Sequence, residues 1–510
     1  MSLEVTATSA TPRALKTNVA INVLGAIIPL FVALVTVPIY VHHIGDARYG
    51  VLSIVWVLLG YFGFLDLGLS RAAANALAKL RDAPQSVRAR VLVTALALNI
   101  ALGIVGSLCL FILGGYFLLH VVALPESLKP EIVQAFPWVV GLFPLALVSG
   151  VGIGALESRE RFLLANVLQV AGTSLGQIVP VTLAVAVSPS LAVLVPAAVM
   201  TRALTLAAIL ITVYHDEGPL SILIFDSKQA RRLLSYGGWI TVSSLISPIL
   251  VSLDQFVIGS VLGVVAVTHY SVPMSLVLRS QVFAGALSRT LFPRMSNSGP
   301  EDARRLASRA LMSLAYGYGA ICAPAIVVTP AFFRYWIGAD FSLVAAPVAE
   351  ILFFGAWING LAFIPYGLLQ GQGRPSVTGK LHLAEVLPFV GILWSFTSAF
   401  GISGAAAAWS LRCAVDACCL FWASGLERRT LIIALAPPLL LLASSASLAW
   451  MIGTSLSEAL STGAVVGAVA VVMALREAPD LKRVALAGSS SILRVVRTRF
   501  NGGCRWPRRK

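Results

Sequence analysis

Long apolar segments separated by short polar breaks run along almost the whole chain. Most are about 20 residues or longer, the length that a helix needs to cross the hydrocarbon core of a bilayer. A membrane β-barrel would instead alternate apolar and polar positions in segments of roughly ten residues. The pattern predicts an all-α polytopic membrane protein with about 14 transmembrane helices. The predicted spans are 18–41, 47–69, 91–119, 132–155, 163–186, 190–213, 233–258, 264–291, 310–333, 346–370, 378–400, 402–424, 430–452 and 458–475.

The composition and charge fit a chain that faces lipid. Of the 510 residues, 58% are hydrophobic and 12% are charged, whereas soluble domains are roughly 45–50% apolar and about 25% charged. The net charge of +15 would also suit nucleic acid, but the basic residues lie in short loops between spans and in the C-terminal tail. We therefore expect membrane lipids, and no nucleic acid, as partners of these residues.

Basic residues recur in every second loop, and this predicts the orientation. One side of the membrane carries most of them together with both termini, and the other carries little more than Arg48, Lys129 and Arg334. Because basic loops stay on the cytoplasmic side, both termini are predicted to be cytoplasmic and the number of spans to be even.

A faint internal repeat divides the predicted spans. The matching positions are Gly45 and Ser70 with Gly263 and Ser288, and Arg202 with Arg412 in the middle of spans six and twelve. An even number of spans per repeat predicts two six-helix lobes with pseudo-two-fold symmetry, plus two extra C-terminal helices. The predicted divisions are a cytoplasmic N-terminal segment (1–17), an N-lobe of spans one to six (18–213), a cytoplasmic loop (214–232), a C-lobe of spans seven to twelve (233–424), spans thirteen and fourteen (430–475) and a basic cytoplasmic tail (476–510).

Ionisable side chains inside apolar spans are costly and usually face a bundle interior or a water-filled cavity. Arg279 in span eight has no carboxylate one helical turn away. A guanidinium can hold phosphate oxygens bidentately, so Arg279 is predicted to bind an anion in a central cavity. The alternative is a structural pair with Asp254 or Asp66 on a neighbouring span. The candidate substrate-binding residues are Arg279, Arg289, Arg71 and Gln281, with snorkelling to the interface as the alternative for Arg71 and Arg289.

Two further pairs of ionisable residues lie one helical turn apart. Arg412 and Asp416 share a helix face in span twelve and are predicted to form a structural pair. His382 and Glu385 in span eleven can both titrate when desolvated, which allows a proton relay. The candidate residues for a coupling ion or proton are Asp66, Asp254, His382 and Glu385.

Motifs of catalysis and metal binding are absent or out of context. Residues 172–176 have a Gly-x-Ser-x-Gly pattern but lie inside a continuous apolar span, away from the strand-to-helix turn of a nucleophile elbow. Residues 373–380 are one residue too long for a phosphate-binding loop. None of the six Cys residues forms a Cys-x-x-Cys motif. We therefore expect a protein that is not an enzyme and has no catalytic residue, metal or cofactor.

Two stretches of motifs resemble one family of membrane proteins. The first contains Asn22-x-x-Gly25, Pro38-Ile-Tyr-x-x-x-Ile-Gly45-x-x-x-Tyr49-Gly50, and Leu65-Asp66-Leu-Gly68-Leu with Arg71. The second contains Gln370-Gly-Gln-Gly-Arg374-Pro375, His382-Leu-x-Glu385, and Phe400-Gly401-Ile-x-Gly404 followed by Arg412 and Asp416. In this order and spacing, over roughly residues 15–430, the chain resembles Wzx-type polysaccharide flippases of the multidrug/oligosaccharidyl-lipid/polysaccharide exporter superfamily.

The resemblance implies two lobes that face each other across a cationic central cavity lined mainly by spans one, two, seven and eight. It implies alternating-access transport of undecaprenyl-diphosphate-linked oligosaccharide from the cytoplasmic to the periplasmic leaflet of a bacterial inner membrane. A polysaccharide polymerase and assembly proteins are further implied partners. Arg279 matches the expected cationic cavity, whereas span one departs from it because no Lys or Arg lies at its middle.

Three other functions stay open at this point. A peptidoglycan lipid-precursor flippase would have the same architecture with more arginines in the cavity. A multidrug exporter of the same superfamily would need an acidic cavity, which Arg279 argues against. A membrane polysaccharide polymerase or glycosyltransferase would need a large extracytoplasmic loop, and the predicted outer loops are short.

Overall fold

Two compact helical units make up the chain. The computed structural model describes residues 12–62, 68–218, 225–231, 233 and 253–483. Every regular element in these ranges is a helix, which confirms the predicted all-α class. The units are Met1–Val272 and Pro273–Lys510.

The first unit is built from long apolar helices joined by short turns. Its helices are α1 (Pro12–Phe62), α2 (Leu69–Lys79), α3 (Gln85–Cys109), α4 (Gly115–His120), α5 (Lys129–Ser158), α6 (Phe162–Ala186), α7 (Leu191–Glu217), α8 (253–261) and α9 (Val264–Ser280), which continues into the second unit. A π-helical segment, Leu110–Gly114, joins α3 to α4 without a break in direction. The residues at the buried interfaces of α2, α3 and α5 are mainly Leu, Val and Ala, so these helices share an apolar core.

The second unit is also built from long apolar helices joined by short turns. Its further helices are α10 (Val282–Asn297), α11 (Pro300–Trp336), α12 (Ala339–Gly371), α13 (Pro375–Ser424), α14 (Arg428–Ile452) and α15 (Leu456–Glu477). The fully buried Trp357 of α12 fixes the packing against α11, because its indole N–H donates to the carbonyl of Ala315 at 3.0 Å.

Ten helical segments in the described ranges are long and apolar enough to cross a membrane. Two of them are interrupted by a glycine with positive φ, Gly45 (φ 79°) in α1 and Gly401 (φ 62°) in α13. Glycine adopts this conformation at little cost, so it can end one helix and begin another. The two glycines fall at the predicted boundaries between spans one and two and between spans eleven and twelve.

The structure describes two other predicted spans differently. Most of span seven (233–258) lies outside the described residues, apart from 233 and 253–258. Span eight (264–291) consists of two helices, α9 and α10, which are separated at Gln281. The count of 14 therefore stays a prediction, and so do the domain divisions.

The glycine and serine positions of the predicted repeat share local features. Gly45 and Gly263 both have positive φ. A Cβ atom at Gly150 of α5 would lie 2.7 Å from Oγ of Ser70, and one at Gly367 of α12 would lie 3.3 Å from Oγ of Ser288. A glycine therefore allows the equivalent serine of each unit to approach a neighbouring helix closely.

Candidate functional site

A polar cavity lies inside the first unit, between α2, α5, α6 and α7. Its volume is about 430 Å³. The lining residues are Ser70, Arg71, Ala74, Ser149, Gly150, Ile153, Gly154, Glu157, Gln169, Thr173, Arg202, Thr205 and Ile209. Hydroxyl, amide and charged groups are unusual in helices that are otherwise apolar, so this cavity is the candidate functional site.

Glycines allow the helices around the cavity to pack closely. A Cβ at Gly154 would lie 3.1 Å from the Cβ of Ala74, and one at Gly172 would lie 2.7 Å from Cγ2 of Thr205. Glycines on α5 and α6 therefore bring these helices close to α2 and α7. The polar side chains of neighbouring turns then converge on one space.

Two guanidinium groups dominate the electrostatics of the cavity. Arg71 lies in the first turn of α2 and Arg202 near the middle of α7, and both side chains are open to the cavity. Among the described residues, neither forms an ion pair or a hydrogen bond, whereas Arg48 pairs with Glu131 at 2.6 Å elsewhere in the unit. Glu157 is the one carboxylate in the lining, so the lining carries a formal charge of +1.

The sequence predicted a central cavity lined mainly by spans one, two, seven and eight, and one of the predicted substrate-binding residues lines this cavity of the first unit. This residue is Arg71, whose role in substrate binding stays a prediction. It shares the lining with Arg202, which the sequence marked only as a repeated mid-span arginine. Glu157, Gln169 and Thr173 were missed, because they lie on two further helices and nothing in their local sequence marks them. A lone arginine in the middle of an apolar span was the signal that pointed towards Arg202.

The other predicted substrate-binding residues lie in the second unit. Arg279 is half-buried in the last turn of α9, where a cation interacts favourably with the helix C-terminus. Gln281 is buried, donates to the carbonyl of Ala356 and accepts a hydrogen bond from Asn359, both at 3.3 Å. Arg289 is exposed on α10. Their roles in substrate binding stay predictions.

The structure describes three of the four residues predicted to bind a coupling ion or proton. Asp66 lies outside the described residues. Asp254 is fully buried at the start of α8, where it accepts hydrogen bonds from the Tyr270 hydroxyl at 2.5 Å and from the Gln255 backbone N–H at 2.8 Å. These two bonds give Asp254 a structural role in joining α8 to α9.

His382, Glu385, Arg412 and Asp416 meet in one cluster on α13. Arg412 lies 3.7 Å from Glu385, and His382 lies 3.6 Å from Asp416. The sequence predicted pairing along the helix, between Arg412 and Asp416, but these ion pairs connect the two arms of α13 on either side of Gly401. The described residues contain no group of three or more His, Cys, Asp or Glu that could hold a metal ion.

Known proteins resemble the chain in sequence and in fold. A family model described as polysaccharide biosynthesis protein matches residues 15–298, more than half of the chain. A Shigella flexneri protein named "Putative O-antigen transporter" is 27% identical over 408 residues, which cover 79% of this chain and 95% of that protein.

Two solved structures share the fold at low sequence identity. One, described as the lipid II flippase MurJ in an inward closed conformation, has a TM-score of 0.69 at 11% identity and covers 91% of this chain and 99% of its own. The other, an inward-facing multidrug resistance MATE family transporter of the MOP superfamily, has a TM-score of 0.64 at 15% identity and covers 78% and 97%. The fold is therefore that of a multi-pass membrane transporter, and these relatives are named as transporters or flippases.

Proposed function

Because the chain belongs to the polysaccharide biosynthesis protein family, we propose that it moves undecaprenyl-diphosphate-linked oligosaccharide from the cytoplasmic to the periplasmic leaflet of a bacterial inner membrane. The Shigella relative, aligned over nearly its whole length, supports transport of a polysaccharide precursor. The diphosphate and the sugars cannot enter hydrocarbon unaided, whereas the isoprenoid tail can stay in the bilayer throughout.

The observation that carries this proposal is the cationic cavity of the first unit. The guanidinium groups of Arg71 and Arg202 can each hold two phosphate oxygens, and neither forms an ion pair with a described carboxylate. A volume of about 430 Å³ lies within the range of roughly 300–1,000 Å³ that small-molecule sites occupy. The hydroxyls of Thr173 and Thr205 and the Glu157 carboxylate can hydrogen-bond sugar hydroxyls.

The charge of the cavity also separates the proposed function from one of its alternatives, a multidrug exporter. A cationic drug would be repelled by a lining whose formal charge is +1, so a multidrug exporter fits this cavity poorly. A peptidoglycan precursor carries the same diphosphate, and the cavity alone does not discriminate against it. Alternating access would expose the cavity to one side at a time, so that the cations bind the headgroup on the cytoplasmic side and release it on the periplasmic side.

Reconstitution into lipid vesicles tests the function directly. The full-length protein is inserted with fluorescent undecaprenyl-diphosphate-linked oligosaccharide, and an impermeant glycosidase reports the sugar that has reached the outer leaflet. We expect transport by the wild type and a rate at least about tenfold lower for Arg202→Gln, because a hydrogen bond to a charged group contributes about 1.5–3 kcal/mol. Arg202→Lys should retain an intermediate rate.

Arg81→Gln is the matched control for Arg202→Gln. It removes a guanidinium from an exposed ion pair with Glu160 and should leave the rate unchanged. Equal transport rates for the wild type, Arg202→Gln and Arg81→Gln would show that the cavity is not used in transport. If the folded wild type transports nothing, the proposed substrate is rejected. Lipid-linked peptidoglycan precursor in the same assay decides between the two flippase functions.

The cytoplasmic location of both termini is part of the same proposal. It rests on the recurrence of basic residues in alternate loops. Alkaline phosphatase, which is active only in the periplasm, should be inactive when fused after Lys510 and active when fused within the turn 187–190 between α6 and α7. The opposite pattern would invert the proposed direction of transport.

A further inference from the structure

The fold of α13 brings four ionisable side chains together inside the second unit. Gly401 has non-helical backbone angles, with φ 62° and ψ −147°, and divides α13 into two helical arms. His382 and Glu385 lie on the arm before this glycine, and Arg412 and Asp416 lie on the arm after it. The distances between the arms are 3.7 Å from Arg412 Nη1 to Glu385 Oε2 and 3.6 Å from His382 Nε2 to Asp416 Oδ1.

The cluster is buried, and several of its polar atoms lack hydrogen bonds. The Glu385 and Asp416 side chains are 10% and 7% exposed, and Arg412 is 11% exposed. Within the described part of the chain, both carboxylate oxygens of Glu385, Oδ1 of Asp416 and Nε of Arg412 have no hydrogen-bond partner. Leaving charged oxygens buried without donors is costly. We therefore expect a hydrogen atom in the cluster that donates to one of these oxygens.

The charges of the cluster do not balance when His382 is neutral. Two carboxylates then face one guanidinium, which leaves one uncompensated negative charge in a region of low dielectric constant. Two carboxyl groups that lie together cannot both ionise easily, and a shared proton relieves their repulsion. The Glu385 and Asp416 carboxyl groups are both buried in this cluster, on opposite arms of α13. One proton between them would neutralise the cluster and supply the missing donor.

Among the described residues, no Lys, Arg or His other than His382 and Arg412 forms an ion pair with Glu385 or Asp416. Tyr366 of α12 stacks against the His382 ring, with centroids 5.9 Å apart and planes 7° apart. The Phe389 ring lies 5.6 Å from the Arg412 guanidinium, and Cys413 and Cys419 are the thiols next to the charged groups. The described residues form no metal-binding group of three or more His, Cys, Asp or Glu, so the cluster does not match a metal site.

We propose that His382, Glu385, Arg412 and Asp416 form a proton-binding site in which Glu385 and Asp416 share one proton. The proton adds to one carboxylate oxygen and leaves from the same oxygen, and no other bond changes. His382 is the most exposed member, at 23%, and is placed to pass the proton between water and the carboxylates. The link from this proton to transport rests on the proposed function, whereas proton binding itself does not.

Infrared spectroscopy of the purified protein in lipid nanodiscs tests proton binding without any substrate. The wild type should show a carboxylic-acid C=O band at neutral pH that disappears as the pH is raised. Glu385→Gln and Asp416→Asn should each abolish this band, because either substitution removes the excess charge and leaves Arg412 paired with one carboxylate. His382→Asn should keep the band and slow its response to a pH jump.

Glu350→Gln is the matched control, since Glu350 is a half-buried carboxyl of α12 outside the cluster. It should retain the cluster's band. If the same band persists in both Glu385→Gln and Asp416→Asn, the site is rejected. If neither of these variants folds, the wild type still decides, because a spectrum without any carboxylic-acid band at neutral pH overturns the proposal.

Transport under an imposed pH gradient tests the coupling and separates it from the proposed function. For one coupled proton, each unit of pH gradient should change the distribution of substrate between the leaflets by about tenfold in the wild type. Glu385→Gln and Asp416→Asn should lose this dependence. If the wild type transports the substrate to the same extent with and without the pH gradient, proton coupling is rejected and the flippase function is retained. A titrating band without transport of this substrate would support the site and reject the function.

Discussion

Arg88 of α3 and Glu217 at the end of α7 form a salt bridge of 2.5 Å in which the side chains are 0% and 1% exposed. The Arg88 guanidinium also donates to the carbonyls of Leu77 and Leu80 at 2.6 and 3.2 Å. Glu217 accepts a further hydrogen bond from Arg159 at 2.9 Å, which raises the pKa of Arg159 above its ordinary value. The network joins the ends of four helices of the first unit.

Loss of Arg88 should destabilise the first unit strongly. Arg88→Met leaves the buried Glu217 with one cation instead of two and leaves two carbonyls without their donor. Breaking a buried pair by removing one partner costs about 3–5 kcal/mol, and the remaining Arg159 places our expectation near 3 kcal/mol. The free energy of unfolding in mixed detergent micelles measures this loss.

Arg81→Met provides the comparison, because Arg81 and Glu160 form a similarly short pair of 2.6 Å whose side chains are 52% and 61% exposed. Exposed pairs contribute about 0–1 kcal/mol. A small change for Arg81→Met beside a large one for Arg88→Met would show that burial determines the contribution of the Arg88 pair. Equal changes would contradict this explanation.

Gly401 should be sensitive to substitution for a purely conformational reason. A Cβ at Gly401 would meet no atom within 4 Å, but its φ of 62° disfavours any residue with a side chain. Gly401→Ala should therefore cost about 1–3 kcal/mol. Gly391 also has open space around its Cβ position and lies in a regular helical part of α13, so Gly391→Ala should stabilise by about 0.5–1 kcal/mol. Thermal unfolding that shifts in the same direction for both variants would argue against strain at Gly401.

The predicted span boundaries agree with the structure where a polar or glycine-rich break interrupts the apolar pattern, as at Gly45 and Gly401. They fall short where a helix continues beyond the apolar window: span nine was predicted as 310–333, whereas α11 runs from Pro300 to Trp336. The extra turns are amphipathic, and they bury Ala303 and Ala307 against the rest of the unit. The resemblance to the polysaccharide flippases, which rested on motif order, is confirmed by the family model.

The candidate sites were harder to predict, because their residues converge from separate helices. Sequence spacing favoured Asp416 as the partner of Arg412, since it lies one turn away on the same helix. Only the fold back at Gly401 brings Glu385 to within 3.7 Å of Arg412. In the same way, Arg202 and Glu157 are far apart along the chain and share the cavity only because α5 packs against α7.

The two arginines that match in the predicted repeat have different surroundings. Arg202 lines an open cavity and pairs with no described carboxylate, whereas Arg412 lies in a cluster with Glu385 and Asp416. The guanidinium of Arg202 is therefore available to an external anion, whereas the guanidinium of Arg412 is neutralised by carboxylates of its own unit. This difference explains why the proposed headgroup site and the proposed proton site belong to different units.

The affinity for a diphosphate headgroup should follow the charge of the first unit's cavity. Arg202→Gln lowers the formal charge of the lining from +1 to 0 and removes a bidentate donor, so the Kd for undecaprenyl diphosphate should rise at least about tenfold. Glu157→Gln raises the charge to +2 and should lower the Kd by about fivefold, since unit charges at 4 Å in water interact by about 1 kcal/mol. Arg71→Gln combined with Arg202→Gln should weaken binding further than either change alone.

Undecaprenol, which has the same tail and no phosphate, separates headgroup recognition from binding of the lipid tail. Its affinity, measured by native mass spectrometry in the same detergent, should stay constant through the series because the tail does not contact the charged lining. The differences between variants should also shrink as salt is added, since ions screen charges in an open cavity. A Kd for the diphosphate that is independent of the lining charge, or one that changes in parallel with the Kd for undecaprenol, would assign headgroup binding to residues other than Arg71 and Arg202.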